Sequence, residues 1–459
     1  MTARNPVRSL LERGISAAEP VLRRTVPHVV RPLLPLVARL PRRQPRTLRN
    51  GSGDRERVTF LLLNAYGMGG TIRTVFNLAG HLSTRYDVEV VSVKRRKRRP
   101  FFPFPPGVTV TPLDDIYARR RYRWKLGRQL MADHPSHLVN VEDRRYPEFS
   151  LWSDLLVMNH LRGLTGVLIA TRPGLNLIAA QHAPKGLPTI GQEHMNLPSH
   201  RPLLRAGIAR HYPDLDVLAV LTQNDLKDYS GLLGSGGPRV VHMPNAVPAM
   251  RGGRADLTAK MVVAAGRLTR QKGYDRLIPA WAPVARAHPD WTLQIYGEGP
   301  ERGRLEGLIV EHGVGDSVSL MGRSDRLGDA FAAASVFVLS SRREGLPMVI
   351  LEAMSKGLPV VSFDCPTGPA EIVSTDHNGV LVPNADIPAL TASLLQLIDD
   401  EELRSRLSKG AQETATRYGI DVIGAEWEEL IEELLHGPLP LGWARSSGQA
   451  RDRQPSSGR

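Results

Sequence analysis

Short, continuous apolar runs recur along the chain, and most lead into a glycine turn, a basic turn or a helical pattern. VTFLLLN (58–64) reads as a strand buried on both faces, AYGMGG as a glycine turn, and TIRTVFNLAGHLSTR (71–85) as an amphipathic helix. DVEVVSV (87–93) is a second strand. Strand, glycine turn, helix and strand in succession mark a doubly wound α/β domain, whose sheet is covered on both faces. DLLVMN, GVLIATR, TIGQEH and LDVLAVLT extend the series of expected strands as far as VVHMPNAVP (240–248). A second cycle opens at MVVAAGR (261–267), enters the helix DRLIPAWAPVARAH, and continues through WTLQIYG, SVSLMG, VFVLSS and PVVSF. The last strong helical pattern is VIGAEWEELIEELL (422–435).

This alternation predicts two Rossmann-like α/β domains, over 55–248 and 259–416, with a cleft between them and a polar linker at 249–258. A crossing helix is expected at 417–436 and a disordered tail, rich in Pro, Gly, Ser and Arg, at 437–459. Residues 1–54 read as an extension, with five prolines between positions 20 and 41. The 459 residues suffice for two domains that each bury a core. No run approaches the ~18 apolar residues of a membrane span. The apolar stretch VVRPLLPLVARLP is broken by Arg31, Arg39 and prolines, so neither a cleaved signal peptide nor a span is expected. The single cysteine, Cys365, cannot form an internal disulfide, which suits a reducing, cytoplasmic setting.

Charge adds a surface to this picture. The formal net charge is +14, and residues 1–50 hold eleven arginines against two glutamates. Lys94 to Arg99 form a second basic cluster, and Arg119, Arg120, Arg121, Arg123, Lys125 and Arg128 a third. Such clusters can attract anionic lipid, nucleic acid or a polyanionic substrate. A solvated, arginine-rich face with no partner fits each of them equally well.

The densest chemistry lies in SSRREGLPMVILEAMSKGLPVVSFDCPTGPAEI (340–372). Glu344 and Glu352 stand eight positions apart, with Pro347 placed to begin a helix. Eight helical residues rise about 12 Å, whereas a retaining glycosidase pair sits about 5 Å apart. The spacing therefore disfavours paired acid/base hydrolysis. A helix start offers free N–H groups to an anion such as a diphosphate, while carboxylates grip hydroxyls. A ligand with phosphates and sugar hydroxyls meets both demands, although a capped surface helix with two unrelated glutamates is an equal alternative from this segment alone. AAGRLTRQKGYDRLI (264–278) adds Arg267 at a strand end and Lys272 five residues on. Ligands of open α/β sheets bind beyond the strand C-termini, where two cations would neutralise a leaving diphosphate.

Together these segments resemble the family 4 retaining glycosyltransferases. GRLTRQKG, YGEGP, the 340–373 segment and NGVLVP stand in the order and spacing that family shows, and the resemblance runs from about Val58 to Leu435. It implies the GT-B fold, two Rossmann-like domains facing a deep cleft, with a terminal helix returning to the first. It also implies a nucleotide-sugar donor held mainly by the second domain. By the same resemblance, Arg267 and Lys272 correspond to the diphosphate-binding pair, Glu344 to the donor-sugar contact and Glu352 to the ribose holder. Gly345, Leu346 and Pro347 would bring backbone to the phosphates, and Gly297 and Gly299 would line the nucleotide pocket. Gly69 and Gly70 resemble the glycine loop near the transferred sugar, and His194, in GQEHMN, the histidine approaching from the acceptor side. His182 and His200 are read as structural, as is Asp214-Leu215-Asp216.

Two positions depart from the family pattern: Arg343 replaces a frequent aromatic, and Ser355-Lys356 a frequent Ala-Cys. No metal and no other cofactor is expected, because the cations would do a metal's work. The function implied is retaining transfer of a hexosyl or N-acetylhexosaminyl group from a nucleotide-diphospho-sugar, a UDP-sugar above all. The acceptor would be a cell-surface glycan, a polyol-phosphate polymer of teichoic-acid type or a lipid-linked oligosaccharide. The protein would sit at the inner face of the plasma membrane, held by its basic clusters, with no nucleic-acid partner. The alternatives are a sugar-nucleotide epimerase of the same architecture, or a basic membrane- or nucleic-acid-binding protein with an inactive site.

Overall fold

A computed structural model describes residues 55–117 and 131–437. The extension, the Arg119–Arg128 cluster and the tail beyond 437 lie outside the described residues. The described chain forms two parallel sheets. The first joins β1 (Arg57–Leu62), β2 (Asp87–Arg95), β3 (Thr109–Asp115), β4 (Val167–Ala170), β5 (Thr189–Gln192), β6 (Val217–Val220) and β7 (Arg239–His242) in the order β3-β2-β1-β4-β5-β6-β7. The second joins β8 (Met261–Ala265), β9 (Thr292–Tyr296), β10 (Val318–Gly322), β11 (Val336–Leu339), β12 (Val360–Asp364) and β13 (Gly379–Pro383) in the order β10-β9-β8-β11-β12-β13. In both, strand order reverses beside the first strand, between β1 and β4 and between β8 and β11. These switch points open a crevice at the strand C-termini.

The strands are apolar throughout because helices cover both faces. Val58, Phe60, Val88, Val90, Val167 and Ile169 are fully buried in the first sheet, as are Val262, Ala264 and Val336 in the second. Helix α1 (Gly70–Leu82) follows the glycine turn after β1. DLLVMN, expected as a strand, lies within helix α2 (Leu151–Leu161). Ser150 and Ser153 cap its start reciprocally, and Trp152, Leu155 and Leu156 bury at helical spacing. A short apolar run cannot by its pattern alone distinguish a buried strand from a buried helix. Strand β3 was not anticipated; it carries Pro112 and pairs only with β2, the edge position where a strand tolerates proline.

Next in the chain come α3 (Pro173–His182), α4 (Pro202–His211) and α5 (Gln223–Leu233) in the first domain. The second adds α6 (Tyr274–Ala287), α7 (Arg302–Glu311), α8 (Leu327–Ala332), α9 (Met348–Met354), α10 (Pro369–Ile372), α11 (Ile387–Asp399) and α12 (Glu401–Arg417). Helix α13 (Ile420–His436) then returns to the first domain. Its Ile423, Trp427, Leu430 and Ile431 join the core of Val58, Phe60 and Val75. Gly424 lets it approach α1, since an added Cβ would stand 2.4 Å from the His81 ring. Polar ties follow the same seam: Tyr86 donates to Glu432 at 2.7 Å, and His81 lies 2.9 Å from Glu428. Among the described residues no helix is long and apolar enough to cross a membrane.

Trp427 is 1% exposed, so Trp427→Ala is expected to lower unfolding stability by roughly 3–5 kcal/mol. Urea denaturation measures it, and the loss should register in the first domain, against which α13 packs.

Candidate active site

After β8 the chain turns through Gly266 and Arg267 into a single 3-10 turn, Arg270–Lys272. Gly273 ends that turn in the left-handed region, at φ 68°, and a Cβ there would stand 1.9 Å from the Ser340 carbonyl oxygen. Only glycine allows this contact, which locks the basic turn onto the end of β11. The two segments are stitched further: Ser340 Oγ donates to the Lys272 carbonyl at 3.0 Å, and Arg342 clasps Asp275 at 2.7 and 2.9 Å. Lys272 Nζ thereby meets Glu344 Oε1 at 2.6 Å, and Ser341 Oγ donates to the same oxygen at 2.5 Å. Arg267 stands exposed nearby and makes no ion pair among the described residues.

Glu352 lies in the second turn of α9, buried and facing the cleft. Pro347 sits one position before the helix, as its cap rather than within its first turn. Arg73 of α1 crosses from the other domain to Glu352, with Nη1 2.7 Å from Oε1. Burial raises the Glu352 carboxyl above the usual range, while Arg73 and then Lys272 pull it back. Arg73, Glu352, Lys272 and Glu344 thus form a chain of alternating charges.

Gly297 and Gly299 do not simply face a ligand. Added Cβ atoms would stand 1.9 Å from the Gly266 carbonyl oxygen and 2.1 Å from that of Leu268. They let the turn after β9 press on the backbone that carries Arg267. At Gly69 and Gly70 an added Cβ meets nothing within 4 Å, so the space over the start of α1 is open. Gly345 faces the first domain, its added Cβ 3.7 Å from the His194 carbonyl oxygen and 3.9 Å from Asn196 Oδ1. Leu346 is buried beside it.

His194 follows β5 and is anchored from below. Glu193 accepts from Asn176 at 3.0 Å and from Tyr212, and Asn196 donates to Asp225 at 3.1 Å. His200, read as structural, bonds to Tyr229 at 3.1 Å within this network. Asp216 accepts from the Thr189 N–H at 2.7 Å, also a structural use. His194 Nε2 is buried with no hydrogen-bond partner. Burial, and secondarily the Arg172 guanidinium, push the imidazole down to about 4, so it is neutral at physiological pH. Arg172, at the C-terminal end of β4, is held by Asp143 at 2.6 Å.

The structure therefore gathers Lys272, Glu344 and Glu352 into one charged group, with Arg267 on its edge, and seats the His194 loop against Gly345. Sequence reasoning missed Arg73, Arg172 and Glu193. Arg73, three residues past the glycine pair, and Arg172, just after the β4 apolar run, both carried a positional signal: a charged residue beyond a strand C-terminus. Among the described residues, no three His, Cys, Asp or Glu side chains group as a metal site would.

Two Rossmann-like domains closing over a charged cleft define the GT-B class of fold. A mutant of Staphylococcus aureus TarM, solved in complex with Fondaparinux, alpha-GlcNAc-glycerol and UDP, matches with a TM-score of 0.65 at 15% identity, over 82% of this chain and 99% of that one. Sucrose-phosphate synthase from Thermosynechococcus elongatus matches at 0.65 and 19% identity, over 83% and 99%. Within this fold, residues 250–414 match the family described as Glycosyl transferases group 1. An exopolysaccharide phosphotransferase of Streptomyces coelicolor is 37% identical over 390 residues, 83% of this chain. The chain spans 41% of that relative's length. An uncharacterized glycosyltransferase of Haemophilus influenzae is 26% identical over 377 residues, 82% of this chain and all of that protein. The solved structures show the fold, and the family match lies within the linker and the second domain.

The low pKa of His194 has a consequence for stability. Between pH 6.5 and about 4 the unfolded chain binds a proton there that the folded protein does not. Stability should therefore rise with pH across this window and fall on acidification. Urea denaturation at pH 7 and pH 5 should show a smaller acid loss for His194→Gln than for the wild type.

Proposed function

We propose that the protein is a retaining glycosyltransferase that takes a hexosyl or N-acetylhexosaminyl group from a nucleotide-diphospho-sugar, most simply a UDP-sugar. The observation that carries this reading is the Lys272–Glu344–Glu352 group at the β8/β11 switch point, with Arg267 exposed beside it. Glu352 suits ribose hydroxyls and Glu344 a hydroxyl of the donor sugar. Lys272 and Arg267 suit the diphosphate, whose departure needs positive charge and, in this reading, no metal. The bond from the sugar's anomeric carbon to the phosphate oxygen breaks as the acceptor oxygen bonds to the same face. The leaving phosphate oxygen takes the acceptor's proton. No carboxylate in the group is free to act as a general base, because in this reading both are taken up by hydroxyls of the donor. Neutral His194 serves as a hydrogen-bonding group at the sugar, approached from the acceptor side.

The acceptor in this reading is a cell-surface glycan, a polyol-phosphate polymer or a lipid-linked oligosaccharide, met at the cytoplasmic face of the membrane. The basic cluster after β2 bears on this. Arg95 pairs with Asp115 and stacks on Tyr66, and Arg96 pairs with Asp114, so two of the six cations from Lys94 to Arg99 are absorbed internally. Lys97, Arg98 and Arg99 remain exposed, next to exposed Phe101 and Tyr117. Arg323 of the second domain stacks over Phe101 at 4.8 Å, which sets this loop at the cleft rim. Basic and aromatic side chains together suit an anionic membrane surface.

Lys272→Ala and Glu344→Ala should each lower turnover by about 10²–10³ or more with the fold retained, as measured by sugar release from a donor panel and by circular dichroism. Wild-type turnover by either would remove that residue from the site. In liposome sedimentation at low salt, the protein should pellet with anionic but not neutral vesicles. Replacing Lys97, Arg98 and Arg99 with glutamine should abolish the difference; equal binding to both vesicle types would refute the docking surface.

A further inference from the structure

We propose that Arg73 is a third diphosphate-binding cation of the donor site, supplied by the opposite domain and held on Glu352 until ribose hydroxyls take that carboxylate. This rests on the donor reading above. Within the second domain, the charges of Arg267 and Lys272 are matched by those of Glu344 and Glu352. That group alone therefore presents no net positive charge to a diphosphate. Arg73 supplies the excess.

Its position suits the task. Arg73 lies in the first turns of α1, a 13-residue helix whose opening glycines leave open space over free backbone N–H groups. Its side chain is 32% exposed, whereas Glu352 is 9% exposed, so the arginine is the partner able to move. A carboxylate grips two adjacent ribose hydroxyls best with both oxygens, and Arg73 occupies Oε1 at 2.7 Å. Hydroxyls arriving there displace the guanidinium, and a diphosphate beside the same carboxylate gives it a new anion. Lys272 stands in the same relation to Glu344, at 2.6 Å. Each buried carboxylate thus carries a cation that the donor's hydroxyls can release to its phosphates. Donor binding is then an exchange in which hydroxyl hydrogen bonds replace the cation on each carboxylate, while the cation gains a phosphate partner beside it.

The exchange predicts opposite effects on the two halves of the ligand. Calorimetry on the full chain compares uridine with UDP, and likewise adenosine with ADP and guanosine with GDP, for the wild type, Arg73→Gln and Arg73→Lys. Arg73→Gln should weaken the diphosphate at least tenfold while leaving the nucleoside unchanged or tighter, and Arg73→Lys should restore part of the difference. If nucleoside and diphosphate weaken by the same factor, Arg73 is a structural tie and the proposal fails. It fails too if neither changes. Should Arg73→Gln not fold, Arg73→Met reads the same ratio, and an unaltered ratio there overturns the proposal. Wild-type protein that binds none of the three diphosphates overturns the donor reading itself, a result distinct from either of those.

Discussion

A buried carboxylate that stays ionised must have a cation against it, and Glu344 and Glu352 each obtain one from another part of the chain. Lys272 reaches Glu344 from the turn after β8, and Arg73 reaches Glu352 from the other domain. Neither partner is close in sequence, and in the free protein each offsets the cost of burying a carboxylate. The turn that delivers Lys272 exists because Gly273 can touch the end of β11. The two segments meet because the sheet reverses its order there. Site and scaffold are therefore one construction: the switch point brings the backbone ends together, and ion pairs hold the side chains.

The cleft is also a joint. Besides Arg73–Glu352, Glu371 of α10 accepts from the Gln223 and Asn224 N–H groups at 2.9 and 3.3 Å, capping helix α5 of the first domain. The Arg323–Phe101 stack closes the rim, and α13 ties the far side through Trp427. These contacts differ in kind. The α13 seam buries an apolar core and carries polar ties along its edge. The cleft contacts mix an ion pair and a helix cap with an apolar cluster that joins Leu221 of the first domain to Leu346 of the second.

Much of the fold was legible because parallel strands buried on both faces leave a continuous apolar trace. MVVAAGR, VFVLSS and PVVSF became β8, β11 and β12. The trace misled at DLLVMN, where the Ser150–Ser153 cap and side-chain packing made a helix of a run equally apolar as a strand. It was silent at β3, where Pro112 hides an edge strand. Within the site, Lys272, Glu344 and Glu352 could be named from motif spacing. Arg73 had a positional signal beside the glycine pair, but its pairing with Glu352 could not be read, since that partner lies 279 positions away. Gly297 and Gly299 were legible as important, but their work is to let backbone meet backbone behind Arg267.

The sequence by itself determined two α/β domains, a helix start flanked by glutamates and a basic turn after a strand, because apolar periodicity and glycine placement are local properties. Only the tertiary structure decided which charges meet. It put Lys272 on Glu344 and Arg73 on Glu352, left Arg267 exposed, and absorbed Arg95 and Arg96 into pairs with Asp115 and Asp114. Ion pairing is a contest among distant groups for the nearest opposite charge, and sequence order does not record that distance.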